Sequence, residues 1–223
     1  MPASDISIVI PAYRAAATLA RTVESCLPYV APRHIIIVLD GPDRETEQVA
    51  LSCASGVRVF MTPRSHGAPY CRNYGLALVE TRFVMFLDAD DYVEGDLLPS
   101  AVAAAEKAGA DLALGRFSFA FPNGQRLTQE PRRLYGDLDR GAILRKWLIG
   151  DYTPPCAVVW RTDFVRDLGG WDEALAKNQD GDIMYRALLA GARATHAPGG
   201  QGVYVQDDNP GRITRRHDRR TLN

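Results

Sequence analysis

Four short apolar runs, Ile6–Ile10, Ile35–Leu39, Val57–Phe60 and Phe83–Leu87, alternate with stretches of helical periodicity in the first half of the chain. Runs this short, rich in β-branched residues and ended by breakers, predict buried strands. Between them, Leu19, Val23 and Leu27 recur at fourfold spacing, predicting an amphipathic helix over 15–27. Further helices are expected over 45–53, 69–79 and 97–107. Strand–helix alternation of this kind implies βαβ units, right-handed crossovers and a mostly parallel sheet. In such sheets ligands bind beyond the carboxyl ends of the strands. Asp40 stands at one predicted strand end and Asp88-Ala89-Asp90-Asp91 at another.

The second half is less regular. Leu112–Phe121 and a partner after Asn123-Gly124 predict a hairpin, because Asn-Gly suits its turn. Helices are expected over 139–148 and 180–190, the latter with Ile183, Ala187 and Leu188 inward, and a short strand over 157–160. At 223 residues, 46% hydrophobic and 24% charged, the chain has the material for one domain with a sizeable core. A net charge of −1 argues against nucleic-acid binding through bulk electrostatics. Cys26, Cys53, Cys71 and Cys156 form no CxxC pair and read as reduced thiols of a cytoplasmic protein. The N-terminus lacks the basic and apolar regions of a signal peptide, and no apolar run is long enough to span a membrane.

Three carboxylates in four residues repel one another unless a cation neutralises them, and hard oxygen donors suit Mg²⁺ or Mn²⁺. Read alone, Asp88–Asp91 fits an acidic helix cap equally well. Asp40 likewise fits either a ligand contact or a turn. In combination, ISIVIPAYR, IIIVLDGPDRET, SHGAPYCRNYGLA, FVMFLDADDYV and NQDGDIMYRAL resemble, in order and separation, the segments of family 2 glycosyltransferases. The resemblance covers residues 6 to about 195. It implies a GT-A fold: one α/β domain with a Rossmann-like, mostly parallel central sheet flanked by helices. A nucleotide-sugar half (about 1–115) would be followed by a mixed acceptor half (about 116–205) and a basic tail.

The roles that follow are implied by the resemblance. Pro11, Ala12 and Tyr13 border the nucleotide base, and Asp40 contacts it as the second acid of the family's DDG sequence, whose first acid is here Leu39. Arg72 and Asn73 match the donor-holding ARN segment. Asp88 lies near ribose and metal, and Asp90 ligates the Mn²⁺ or Mg²⁺ that stabilises the departing nucleotide. Asp180 matches the acid of the ED segment, with Gln179 in place of Glu, and acts as the general base that accepts the acceptor hydroxyl's proton. Direct attack would invert the anomeric centre. Asp182 is expected to pair with Arg186 at i+4. Trp171 and Asp172 border the acceptor and sugar, with Asp91 nearby; Trp171 also fits a core position, where Trp147 and Trp160 are expected.

The family's metal-site His has no clear counterpart: Asp207 and Asp208 occupy that region, and neither His196 nor His217 aligns with it. The tail arginines, Arg212, Arg215, Arg216, Arg219 and Arg220, would lie over the diphosphate, face an anionic membrane or lipid-linked acceptor, or simply be solvated. Expected partners are a nucleotide-sugar donor, UDP-linked by the family resemblance, and a saccharide, lipid-linked or small-molecule hydroxyl acceptor. A peripheral membrane surface is left open as a partner. Two other classes compete. A nucleotidyltransferase would carry a Gly-rich phosphate loop after its first strand, where this chain reads PAYRAAATL. A non-catalytic sugar-nucleotide binder or scaffold would show the Leu39 and Gln179 departures, yet Asp88, Asp90 and Asp180 are all retained.

Overall fold

The computed structural model describes residues 5–206. Its strands are β1 (Ile6–Ala12), β2 (Ile35–Leu39), β3 (Arg58–Met61), β4 (Phe83–Phe86), β5 (Tyr92–Glu94), β6 (Leu112–Ala120), β7 (Arg126–Gln129), β8 (Val158–Arg161) and β9 (Ala194–Val205). The helices are α1 (Leu19–Cys26), α2 (Arg44–Ser52), α3 (Ala68–Ala77), α4 (Leu97–Ala108), α5 (Pro131–Tyr135), α6 (Arg140–Leu148), α7 (Thr162–Asp167) and α8 (Gln179–Leu189). All nine strands join one sheet in the order β3-β2-β1-β4-β8-β6-β9-β5, with β7 added to β6.

The first four strands pair in parallel, as the alternation requires. Beyond β4 the sheet is mixed. β8 runs antiparallel to both β4 and β6, β5 antiparallel to β9, and β7 antiparallel to β6, whereas β6 and β9 are parallel. The parallel part is therefore the N-terminal half, and the antiparallel pairings begin where the helical alternation fades.

Successive side chains of a strand point to opposite faces, and both faces here are covered. Ile6, Ile8, Ile10, Ile35, Ile37, Phe83 and Met85 face α1 and α4. Val9, Ile36, Val38, Val84 and Phe86 face α3, α6, α7 and α8. This double coverage is why these strands read as unbroken apolar runs. Gly75 lets α3 lie close against β1: a Cβ there would stand 2.3 Å from Val9 Cγ1.

Several boundaries differ from expectation for identifiable reasons. Pro11 does not end β1. The β4 partner stops opposite Val9, so Pro11 sits where β1 has only β2 beside it, and its missing N–H costs no ladder bond. α1 starts at Leu19 rather than Ala15, whose N–H donates to Thr46 Oγ1 instead (2.9 Å). Asp88–Asp91 caps no helix: α4 begins at Leu97, and β5 intervenes. β5, β9, α5 and α7 were not expected. β9 carries the glycines of a loop, but Gly202 is needed inside the sheet, where a Cβ would meet the Cys156 carbonyl oxygen at 2.3 Å. The Asn123-Gly124 hairpin, the Asp139-capped α6 and the Asp182–Arg186 pair (2.8 Å) are present as expected. Ile183, Ala187 and Leu188 are buried, and the four cysteines are unpaired thiols, three of them buried.

Candidate active site

A cleft of about 1020 Å³ opens beyond the carboxyl ends of β1 and β4, with the first turn of α8 opposite. Its lining includes Pro11, Tyr13, Arg72, Asp88, Asp90 and Asp180. The backbone explains how residues so distant in sequence meet. β4 is buried to Phe86 and then releases Asp88 toward the cleft. The close α3–β1 packing carries Arg72 beneath it, and Asn178, in the left-handed region (φ 54°), starts α8 with Asp180 in its first turn.

Arg72 organises the floor. Only 2% exposed, it donates from Nη2 to Asp88 Oδ1 at 2.6 Å and from Nη1 to Gln179 Oε1 at 3.3 Å, with Asp180 Oδ1 3.6 Å from the same Nη1. Its guanidinium lies over the Trp171 ring, 5.7 Å from the centroid. A buried cation is costly unless paired. Burial alone would lower the Arg72 pKa, but Asp180 and Asp88 outweigh it and hold the guanidinium charged.

Asp180 opens on the cleft, and protein surrounds its other sides. Desolvation pushes its pKa above the ordinary carboxylate value; Asp88 adds to the rise, while Arg72 and the Trp171 N–H oppose it. That N–H donates to Asp180 Oδ1 at 3.3 Å. The arrangement gives a carboxylate fixed in direction, with a raised pKa, at the mouth of a cleft, which are the requirements for a general base.

The acidic loop is pinned from below by α1. Thr22 donates its hydroxyl to the carbonyls of Ala89 and Asp91 (2.9 and 2.7 Å), and Arg21 Nη2 donates to the Asp90 carbonyl at 2.7 Å. The carboxylates of Asp88 and Asp90 are thus presented by an anchored loop.

The Glycosyl transferase family 2 model matches residues 7–166 of the sequence. The chain belongs to glycosyltransferase family 2. It is 30% identical over 200 residues to the pre-mycofactocin glycosyltransferase of Mycobacterium tuberculosis, covering 87% of this chain and 41% of that protein. The succinoglycan biosynthesis protein ExoO of Rhizobium meliloti is 25% identical over 224 residues, covering 95% and 64%. The chain therefore spans less than two thirds of the length of both relatives. Crystal structures of S. aureus TarS residues 1–349 superpose with a TM-score of 0.71 at 20% identity, covering 88% of this chain and 60% of that one. The same fragment in complex with UDP-GlcNAc gives 0.71 at 19% identity, covering 92% and 59%. The fold is GT-A, with a mixed, curled sheet between helical layers.

Within this family 2 domain, several expected contacts fall elsewhere. Asp40 is buried, and its carboxylate already accepts from Ser65 Oγ (2.7 Å), His66 N (2.6 Å) and Gly67 N (3.0 Å). It anchors the loop leading into α3 and is not among the residues that line the cleft. Ala12 is also buried behind the cleft wall, leaving Pro11 and the 56% exposed Tyr13 as its border. Asn73 faces the other way from Arg72. Its side-chain amide accepts from Trp171 N (2.8 Å) and donates to Trp171 O (2.9 Å), clamping that residue's backbone.

Trp171 is a core residue, 4% exposed with its ring 4.2 Å from Phe86. It cannot stack on a sugar, but its N–H aims Asp180. Asp172 is exposed outside the cleft and accepts from Ala174 N. Asp91 is fully buried and holds the end of β9 by accepting from Val205 N at 2.8 Å. Asp207, Asp208, His217 and the tail arginines lie outside the described residues.

Among the described residues, no three His, Cys, Asp or Glu side chains converge to hold a metal unaided. Apart from Asp180, the cleft offers two hard carboxylates, Asp88 and Asp90, the former already shared with Arg72. That donor set suits Mg²⁺ or Mn²⁺ held jointly with substrate phosphates, since these ions commonly take one or two carboxylates and leave other positions for substrate and water.

Sequence reasoning missed one wall of the cleft. Trp147, Tyr152 and Tyr185 line it together, with ring centroids 5.8 Å (Trp147–Tyr152) and 6.4 Å (Trp147–Tyr185) apart. Tyr185 lies on the α8 stripe next to Met184 and was hidden by its helical spacing. Trp147 reads as core because most of its ring is buried. Only the packing of α6 on α8 brings the three together. Arg14 and Lys177 add cationic rims.

Proposed function

We propose that this domain is an inverting glycosyltransferase that moves a sugar from a nucleotide-diphosphate donor, UDP-linked in our reading, to a hydroxyl acceptor. The observation that carries the reading is the Arg72 bridge: one buried cation ties Asp88, on the donor side, to Asp180, the group with the raised pKa. Asp180 accepts the acceptor hydroxyl's proton as its oxygen attacks the anomeric carbon, opposite the departing diphosphate. Arg72 and Trp171 keep the Asp180 carboxylate aimed and ionised. Asp88 and Asp90 would hold Mn²⁺ or Mg²⁺, which supplies Lewis-acid stabilisation of the leaving diphosphate.

The donor's base is bordered by Pro11 and Tyr13, and the Trp147–Tyr152–Tyr185 wall offers aromatic faces to the sugar or the acceptor. TarS bound to UDP-GlcNAc supports a UDP-sugar donor by likeness of fold. ExoO's name, a succinoglycan biosynthesis protein, supports a saccharide or lipid-linked acceptor. The absence of a spanning helix among the described residues is compatible with work at a membrane surface.

The test is calorimetry of the chain with UDP, GDP and dTDP, each with and without Mn²⁺. Metal-dependent binding of UDP above the others is expected. Equal, metal-independent or absent binding of all three would move the reading to a non-catalytic member of the fold.

A further inference from the structure

α6 has two kinds of surface. Trp147, near its end, belongs to the cleft wall, but the next two residues, Leu148 and Ile149, turn outward and are 65% and 73% exposed. Gly150, at φ +90°, then turns the chain back, and it lines the cleft again. Two adjacent large aliphatic side chains are thus held in water at the rim of the cleft, beside a shallow groove of about 510 Å³ floored by Leu134 and Ala142.

The segment that carries the tip is basic, and Arg145 lines the same groove as Leu148 and Ile149. From Pro131 to Asp151 the sequence carries Arg132, Arg133, Arg140, Arg145 and Lys146 against Asp137, Asp139 and Asp151, a balance of +2 in a chain of net −1. Lys146 is spent on Asp151 at 2.8 Å. Among the described residues the four arginines make no ion pair, and all four are exposed.

We propose that the Leu148–Ile149 tip, with Arg145 lining the same groove, is a docking surface for an anionic lipid bilayer. Apolar side chains projecting from a basic surface are the pattern by which peripheral proteins enter the headgroup region, each nearby cation adding about 1 kcal/mol on an anionic membrane. A second copy of the chain fits less well. Two side chains and a shallow groove fall far short of the roughly 1,200 Å² that a stable interface buries, and the same basic segment would face itself. Because Trp147 and Gly150 flank the tip and line the cleft, docking brings the bilayer to the aromatic wall. That last link rests on the transfer reading; the docking itself does not.

Vesicle co-sedimentation of the full chain tests it without any turnover assay. Vesicles of phosphatidylcholine mixed with phosphatidylglycerol should retain the protein at low salt and release it at high salt, whereas phosphatidylcholine alone should retain little. The double substitution Leu148→Ser with Ile149→Ser should weaken retention at least about tenfold, and Arg145→Gln about fivefold, with melting temperatures unchanged. Failure of the parent chain to sediment with mixed vesicles, or equal retention of parent and double variant, would overturn the proposal. So would a dimer in sedimentation velocity that the double variant abolishes, which would assign the tip to a second copy. Nucleotide binding is scored separately, so loss of either reading leaves the other standing.

Discussion

Replacing Trp171 by Phe would separate the two things that this side chain does. Its ring packs 4.2 Å from Phe86 and lies under the Arg72 guanidinium, contacts that a Phe ring largely keeps. Its N–H, donating to Asp180 Oδ1 at 3.3 Å, is lost outright. A hydrogen bond to a charged group is worth about 1.5–3 kcal/mol net, and at this long distance a value near the lower end applies. Because the bond favours the ionised carboxylate, its loss raises a pKa that desolvation has already lifted. A base works only when ionised, so the acidic limb of kcat/KM against pH should move upward. Above both pKa values the rate should recover to within about threefold of the parent. The smaller ring should also cost about 1 kcal/mol of stability, read as a modest fall in Tm. A uniform loss of rate with an unmoved acidic limb would refute the argument, and would leave Trp171 as packing only.

Asp180→Asn keeps an acceptor for the Trp171 N–H but removes the base, so turnover should fall at least about 10²-fold with UDP affinity by calorimetry nearly unchanged; a collapse of affinity would mark the residue as structural. Asp90→Asn should weaken metal-dependent nucleotide binding and turnover together, and high Mn²⁺ should restore part of both; no rescue would contradict metal ligation. Arg72→Lys replaces a fork that reaches Asp88, Gln179 and Asp180 with a single point of charge. It should cost about 2–4 kcal/mol in chemical denaturation and lower turnover as well. Gly75→Ala puts a methyl group 2.3 Å from Val9 Cγ1. It should destabilise by about 1–3 kcal/mol and reduce activity by moving α3, and Arg72 with it, away from β1; a Tm equal to the parent's would show that the helix can yield at no cost.

The N-terminal half of the fold was legible because its signals are local. A strand buried on both faces must be an apolar run, and β1, β2 and β4 are such runs, so their existence and parallel pairing followed from the alternation alone. β5 and β9 escaped because what makes them strands is remote. Gly199, Gly200 and Gly202 look like a loop until Leu97 and the Cys156 carbonyl are seen pressing against that backbone. The position of Asp88, Asp90 and Asp180 was legible for the same reason as the strands: each stands at the end of a periodic segment. The partners of these acids were not.

That difference explains which assignments changed. Asp40, Asn73, Asp91 and Trp171, the last also fitting a core position, were expected near a ligand, and in the structure each holds another part of the site in place. Asp40 fixes the loop before α3, Asn73 fixes Trp171, Trp171 aims Asp180, and Asp91 fixes β9. A motif shows that a polar residue is needed at a position, but whether its partner is substrate or backbone depends on what a distant segment brings to it. Arg72 shows the consequence for chemistry. It sits in the motif expected to hold the donor, yet its Nη1 and Nη2 are already engaged with Gln179 and Asp88, with Asp180 in ion-pair range of Nη1. A donor diphosphate entering the cleft must therefore compete with carboxylates for this guanidinium, or bind beside it. If it competes, Asp180 loses part of the charge that holds its pKa down, and the base becomes stronger as the donor arrives. Gln179, neutral where the family places an acid, limits the competing negative charge around Arg72 to two carboxylates. That leaves this cation more attractive to an incoming phosphate than a third acid would allow.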